Sequence, residues 1–127
     1  MARLDREDAP PGPLVQGFAA GGFSIDGVVY PAAFLTPTGA SEWAAPASGG
    51  LSMESLEPVL GIDPAPEFLI LGTGPTIAFP PRALIRAVEA RGIGIEIMDS
   101  RAAARTWGLL RHEERWIVAA LMPLQPA

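Results

Sequence analysis

A Gly-Thr-Gly turn, Gly72-Thr73-Gly74, follows directly on the apolar run Phe68-Leu69-Ile70-Leu71. Further on, Asp99-Ser100 opens an Ala-rich stretch that carries Arg101 and Arg105. Glycines let a backbone approach a ligand closely. A helix N-terminus offers unpaired N–H groups and the positive end of a dipole. Gly72, Thr73, Gly74, Asp99, Ser100 and Arg105 are therefore candidate ligand-binding residues for a small anion. Asp99 would cap the helix or accept a hydrogen bond, and Arg105 would hold the anion. The same residues equally make a tight turn and an N-cap with no ligand, Asp99 and Arg105 then serving folding alone. The pattern is not a phosphate-binding Walker loop, because no Gly-Lys-Ser/Thr follows. It is not a dinucleotide fingerprint either: the third glycine is missing and residues Pro75 to Pro80 separate the turn from the next helix.

Other chemistry has little to work with. The chain has no cysteine, which excludes a thiol nucleophile, a disulfide framework and Cys-ligated metal. The single histidine, His112, stands among Arg111, Glu113 and Glu114 and reads as a solvated turn. No metal site and no cofactor are expected. The serines lack a His partner, so a Ser-His-Asp triad is excluded. Glu96 is the one charge in an otherwise apolar strand; it reads as an ion-paired or partly exposed residue, with a buried base as the alternative. Glu96 and Asp99 are three apart on a strand and point to opposite faces, a poor acid–base pair. No catalytic residue is assigned.

The elements that must position these residues follow from the hydrophobic pattern. Leu14-Val15 and Phe18 suggest a first strand. Phe23, Ile25, Val28, Val29 and Tyr30 suggest a hairpin turning at Asp26-Gly27, a pair suited to positive φ. Ala33 to Thr36 reads as a strand ended by Pro37, and Pro37 to Gly50 as a long loop. Trp43 on that loop is either folded over the core edge or a partner-binding contact. Ser52 to Glu57 suggests a helical turn or two without a full capping box, broken at Pro58. Phe68–Leu71 reads as a strand buried on both faces. Pro80-Pro81 opens a helix with Leu84, Ile85 and Val88 as its apolar stripe, ended by Gly92. Its Arg82, Arg86, Glu89 and Arg91 read as a solvated face, with Arg86 and Glu89 spaced for a contact. Ile93, Ile95 and Ile97 form the next strand, Ala102 to Leu110 a helix, and Trp116 to Met122 a last strand. The N-terminal half is thus hairpin-like and the C-terminal half β-α-β-α-β: an α/β layered domain on a mixed sheet. Parallel strands 68–71 and 95–98 would bring their C-terminal ends, and the candidate cleft, to one sheet edge.

The 127 residues suit one domain, 14–127, preceded by a flexible Pro-rich tail over 1–13. At 49% hydrophobic, the chain can build a core without staples; that content is also generous enough to suit a homodimer. A net charge of −5 argues against nucleic acid as partner. All nine basic residues are Arg, with Lys and Asn absent, which reads as coding bias and not as guanidinium chosen for chemistry. No apolar run reaches membrane-span length, and the acidic N-terminus is unlike a secretory or mitochondrial leader, so a cytoplasmic protein is expected.

The order of these motifs resembles the Mth938-like family, also called DUF498. The resemblance rests on Phe68 to Gly74, Gly92 to Ser100, Ala103-Ala104-Arg105-Thr106, Glu113 with Arg115, and Ala119-Ala120-Leu121. Phe23 to Tyr30 and Trp43 fit it too, so it runs from about Leu14 to Pro123. Ser100 stands where the family usually has Thr, Trp107 where it has Tyr, Gly108 where it has Asn, and Glu114 where Gly is common. The resemblance implies a single three-layer α/β domain. Its eukaryotic relatives include an assembly factor for respiratory complex I and a cytoplasmic protein linked to adipocyte differentiation, and bacterial relatives are sometimes encoded near protein-translocation genes. It therefore implies an interaction or assembly protein, non-enzymatic, with protein partners, serving a larger membrane or respiratory complex. The competing reading is the small-anion or enzymatic cleft described above.

Overall fold

Two type I′-like turns organise the N-terminal half of the computed structural model, which describes residues 12–47 and 50–125. Most of the tail expected over 1–13 lies outside the described residues. The turns sit at Ala20-Gly21 (φ 51° and 76°) and Asp26-Gly27 (φ 51° and 80°). They join β1 (Val15–Ala19), β2 (Gly22–Ile25) and β3 (Val28–Tyr30) into an antiparallel three-stranded sheet, β1-β2-β3. Positive φ at both central residues matches the twist of the flanking strands.

The next segment departs from the expected long loop. Pro37 does end β4 (Ala33–Thr36), but a hairpin returns at once through β5 (Gly39–Glu42), with Leu35 opposite Ala40. The Thr36 hydroxyl oxygen accepts from the Gly39 amide at 3.2 Å and fixes the turn. Gly39, Ala40, Ser41 and Glu42 have weak strand propensity, so their pairing comes from the partner strand and not from their own pattern. The helix α1 (Met53–Leu60) is also longer than expected and runs through Pro58. Ser55 takes the capping role usually given to Glu or Gln. Its hydroxyl accepts from the Ser52 amide at 2.9 Å, while Ser52 Oγ accepts from the Ser55 amide at 3.3 Å. Leu56, Val59 and Leu60 are fully buried. At roughly 1.5–3 kcal/mol per buried side chain, their burial outweighs a proline penalty of about 3 kcal/mol.

The C-terminal half follows β6 (Phe68–Gly72), α2 (Arg82–Ala90), β7 (Gly94–Met98), α3 (Ser100–His112) and β8 (Val118–Leu121). These complete a five-stranded mixed sheet in the order β5-β4-β8-β6-β7. β6 is parallel to both β7 and β8, and β8 is antiparallel to β4. Side-chain alternation then sorts the core into two halves. Leu69, Leu71, Val118, Ala120 and Phe34 face one side, packed with Leu56, Leu60, Leu84 and Val88 of α1 and α2. Ile70, Ala119, Leu121, Ala33 and Leu35 face the other, packed with Phe23 and Ile25 of the small sheet and Ala103, Ala104 and Trp107 of α3. The result is three layers: two helices, the mixed sheet, then α3 beside the three-stranded sheet.

Two surface features yield predictions. Glu67 takes hydrogen bonds from Arg115 Nε at 2.9 Å and from the Trp116 amide at 3.2 Å. The Arg115 bond first, then that amide, hold the Glu67 carboxyl below its ordinary value of 4.5. A depressed folded value means the stabilisation is complete above the unfolded value and is lost as pH falls through the folded one. Glu67→Gln should therefore lower the melting temperature at neutral pH by a small amount, since the pair is exposed. The gap to wild type should close in acid, a trend that a thermal-melt series against pH checks.

Glu114 follows the C-cap of α3 with φ 59°, the left-handed position that ends many helices and favours glycine. Glu114→Gly should raise stability by about 0.5–1 kcal/mol, read as a higher urea midpoint.

Candidate functional site

The ends of three strands meet at Gly72-Thr73-Gly74. Register places Gly72 beside Met98 on β7 and beside Leu121 on β8. The chain then closes a set of short bonds. The Ser100 amide donates to the Gly74 carbonyl at 2.8 Å. The Gly74 amide donates back to Ser100 Oγ at 2.8 Å, and that hydroxyl donates to the Met122 carbonyl at 2.8 Å. The Met122 amide donates to the Gly72 carbonyl at 2.9 Å. Ser100 is fully buried at the centre of this latch. It ties β6, β8 and the start of α3 together.

The neighbouring groups are engaged in the same way. The Thr73 amide donates to the Met98 carbonyl at 2.9 Å. The Thr73 hydroxyl donates to the Thr76 carbonyl at 3.0 Å and accepts from the Ala78 amide at 2.9 Å. Asp99 Oδ2 accepts from the Ala102 amide at 3.0 Å as the N-cap of α3. Gly72 is required for packing: a Cβ there would lie 2.9 Å from Ser100 Cα and 3.0 Å from Ala103 Cβ. Its lack of a side chain admits α3 against the sheet.

Five of the six residues singled out by the sequence therefore come together: Gly72, Thr73, Gly74, Asp99 and Ser100. The amides and hydroxyls of Thr73 and Ser100 and the amide of Gly74 are consumed within the chain. The turn-and-cap reading accounts for each of these bonds. Arg105 stands apart. It is exposed and borders a shallow hollow of about 200 Å³ with Val15, Gln16, Gly17, Phe18 and Ala104. That volume is below the range usual for small-molecule sites.

Trp43 lies over the edge of the core. It is buried and stacks on Phe34 with ring centroids 4.8 Å apart, and its amide donates to the Ala32 carbonyl at 3.2 Å. Glu96 is exposed on the edge strand β7, which removes the buried-base alternative. His112 is exposed in the last turn of α3, with Nδ1 2.7 Å from the Gly108 carbonyl. Arg91 is exposed as expected and there pairs with Glu57 through both carboxylate oxygens, at 2.7 and 3.2 Å. Among the described residues no three His, Asp or Glu side chains gather as a metal site.

A second region went unnoticed in the sequence. Ile77 and Phe79, on the loop between β6 and α2, are 51% and 73% exposed. Phe79 and Pro80 border a groove of about 450 Å³ along α2, completed by Arg82, Ile85, Arg86 and Glu89. The available signal was two large apolar residues between Pro75 and Pro80, where a solvated connection would carry polar ones.

This architecture matches known proteins along most of its length. Residues 15–122 match the family described as "Protein of unknown function (DUF498/DUF598)", and the chain belongs to that family. It is 31% identical over 120 residues to NADH dehydrogenase [ubiquinone] 1 alpha subcomplex assembly factor 3 of Danio rerio, covering 93% of this chain and 68% of the relative. A crystal structure of a Bordetella parapertussis protein superposes with a TM-score of 0.81 at 30% identity, over 91% of this chain and 98% of that one. A Bordetella pertussis protein described as an Mth938-like domain superposes with a TM-score of 0.78 at 24% identity, over 100% and 94% of the two chains. The last likeness speaks to the fold alone. Among the described residues no helix is long and apolar enough to cross a membrane.

Proposed function

We propose that this chain is a non-enzymatic interaction protein that assists assembly of a membrane-bound respiratory complex of the NADH dehydrogenase type, working from the cytoplasmic side. The observation that carries this reading is the likeness to an assembly factor for NADH dehydrogenase across 93% of the chain. The geometry supports it from the other direction. Thr73, Gly74 and Ser100, which the sequence marks as candidates for a small anion, spend these polar groups on bonds within the chain, so the turn works as a structural latch. The net charge of −5 supports a protein partner over nucleic acid.

The test is affinity isolation of the tagged full chain from detergent-solubilised membranes of its host, with quantitative mass spectrometry. NADH dehydrogenase subunits recovered in stoichiometric amount are the expected result. Their absence from the isolate would overturn the reading. Trp43→Ala is a poor control for this experiment, because the stacked, buried ring makes that variant a stability mutant first.

A further inference from the structure

We infer that the groove between Phe79 and the outer face of α2 is a docking site for an acidic segment of a partner protein, anchored by one apolar side chain. The inference rests on the interaction reading above and gives it a surface and a partner chemistry. Three observations carry it.

The first is presentation. The Thr73 hydroxyl bridges the Thr76 carbonyl and the Ala78 amide, which pins the loop between β6 and α2. Pro80 is buried and holds the loop's far end. Ile77 and Phe79 flank the pinned Ala78 and stand in solvent. Large apolar groups held outward on a stiff loop lose little freedom when covered, which favours binding. Aromatic residues are also typical interface anchors.

The second is shape. The groove of about 450 Å³ has Phe79, Pro80 and Ile85 among its lining residues. It can accept a protruding aliphatic or aromatic side chain, which a flat bilayer surface does not supply.

The third is charge. Arg82 and Arg86 border the groove, and neither makes an ion pair among the described residues. On a molecule of net charge −5, two unpaired guanidiniums beside an apolar groove form a local positive site. Carboxylates on a partner complement it and steer the encounter. Glu89 in the same groove disfavours the dense phosphates of nucleic acid or anionic lipid, while leaving room for one or two carboxylates aimed at the arginines.

The probe is Phe79→p-benzoylphenylalanine in the full chain, photolysed in the living host, with the adduct sequenced by mass spectrometry. Leu109→p-benzoylphenylalanine serves as the control, because Leu109 is 70% exposed on α3. The expected adduct from position 79 is one protein, joined through an apolar residue that has two or more Asp or Glu within a helical turn. Its yield should fall about tenfold or more with Arg82→Glu and Arg86→Glu combined. Position 109 should not capture it. Adducts to phospholipid or to another copy of this chain would overturn the inference. So would a segment without acidic residues, a yield indifferent to charge reversal, or no adduct at all. The two readings fail separately. An acidic segment from a protein unrelated to NADH dehydrogenase keeps the groove and removes the respiratory assignment. Recovery of NADH dehydrogenase subunits with no adduct at position 79 does the reverse.

Discussion

Trp107→Ala should destabilise the domain by about 3–5 kcal/mol, the range for truncating a large buried aromatic. Trp107 is fully buried and belongs to the half of the core that joins α3 to both sheets, together with Phe23, Ile25, Ile70 and Leu121. Its loss opens a cavity among residues from three separate elements, which cannot all relax into it. The indole also makes a polar contact, in which Nε1 donates to the Pro13 carbonyl at 2.9 Å and ties the entry of the chain to α3. Trp107→Phe keeps most of the apolar volume and loses only that bond. It should cost about 1–2 kcal/mol, from one lost hydrogen bond and a smaller gap. Urea unfolding followed by far-UV circular dichroism reads both variants without depending on indole fluorescence. A Trp107→Ala loss below about 1 kcal/mol would show that the two sheets are not joined through this residue.

Ser100→Ala is expected to cost about 2–4 kcal/mol. One hydroxyl accepts from the Gly74 amide and donates to the Met122 carbonyl, both at 2.8 Å and both buried. Its removal leaves an amide and a carbonyl without partners, and each unsatisfied buried group costs roughly 1–3 kcal/mol. Ser100→Thr keeps both bonds and should cost much less. Gly72→Ala strains the same latch from the other side, because the new Cβ would meet Ser100 Cα at 2.9 Å. Should Ser100→Ala prove neutral in urea unfolding, the hydroxyl would be free in solution, and the anion-binding reading of this turn would return.

Gly72, Thr73, Gly74, Asp99 and Ser100 were legible as neighbours, because a parallel β-α-β unit brings the ends of β6 and β7 to one sheet edge. What could not be read was Met122. It follows directly on β8, and the sequence pattern does not say that this strand inserts between β4 and β6. The Met122 carbonyl turns Ser100 from a ligand donor into a buried brace. The Asp26-Gly27 hairpin was legible because its turn chemistry is local. β5 was not, because Gly39 to Glu42 borrow their pairing from β4 and carry no alternation of their own. α1 reads short in the sequence, ending at Pro58, since a proline's cost is local and visible while the burial of Val59 and Leu60 is tertiary. Trp43 drew attention as a lone aromatic in a Pro/Gly-rich stretch, yet Phe34 covers it. The most exposed large aromatic among the described residues is Phe79, whose setting between Pro75 and Pro80 resembled a mere connection.

The assembly role is tested most directly by deleting the chain in its host and resolving solubilised membranes by blue-native electrophoresis with an in-gel NADH dehydrogenase stain. The full-size complex should fall and partly assembled forms accumulate, and the full chain supplied in trans should restore it. Normal amounts of full-size, active NADH dehydrogenase in the deletion strain would contradict the role proposed for this protein.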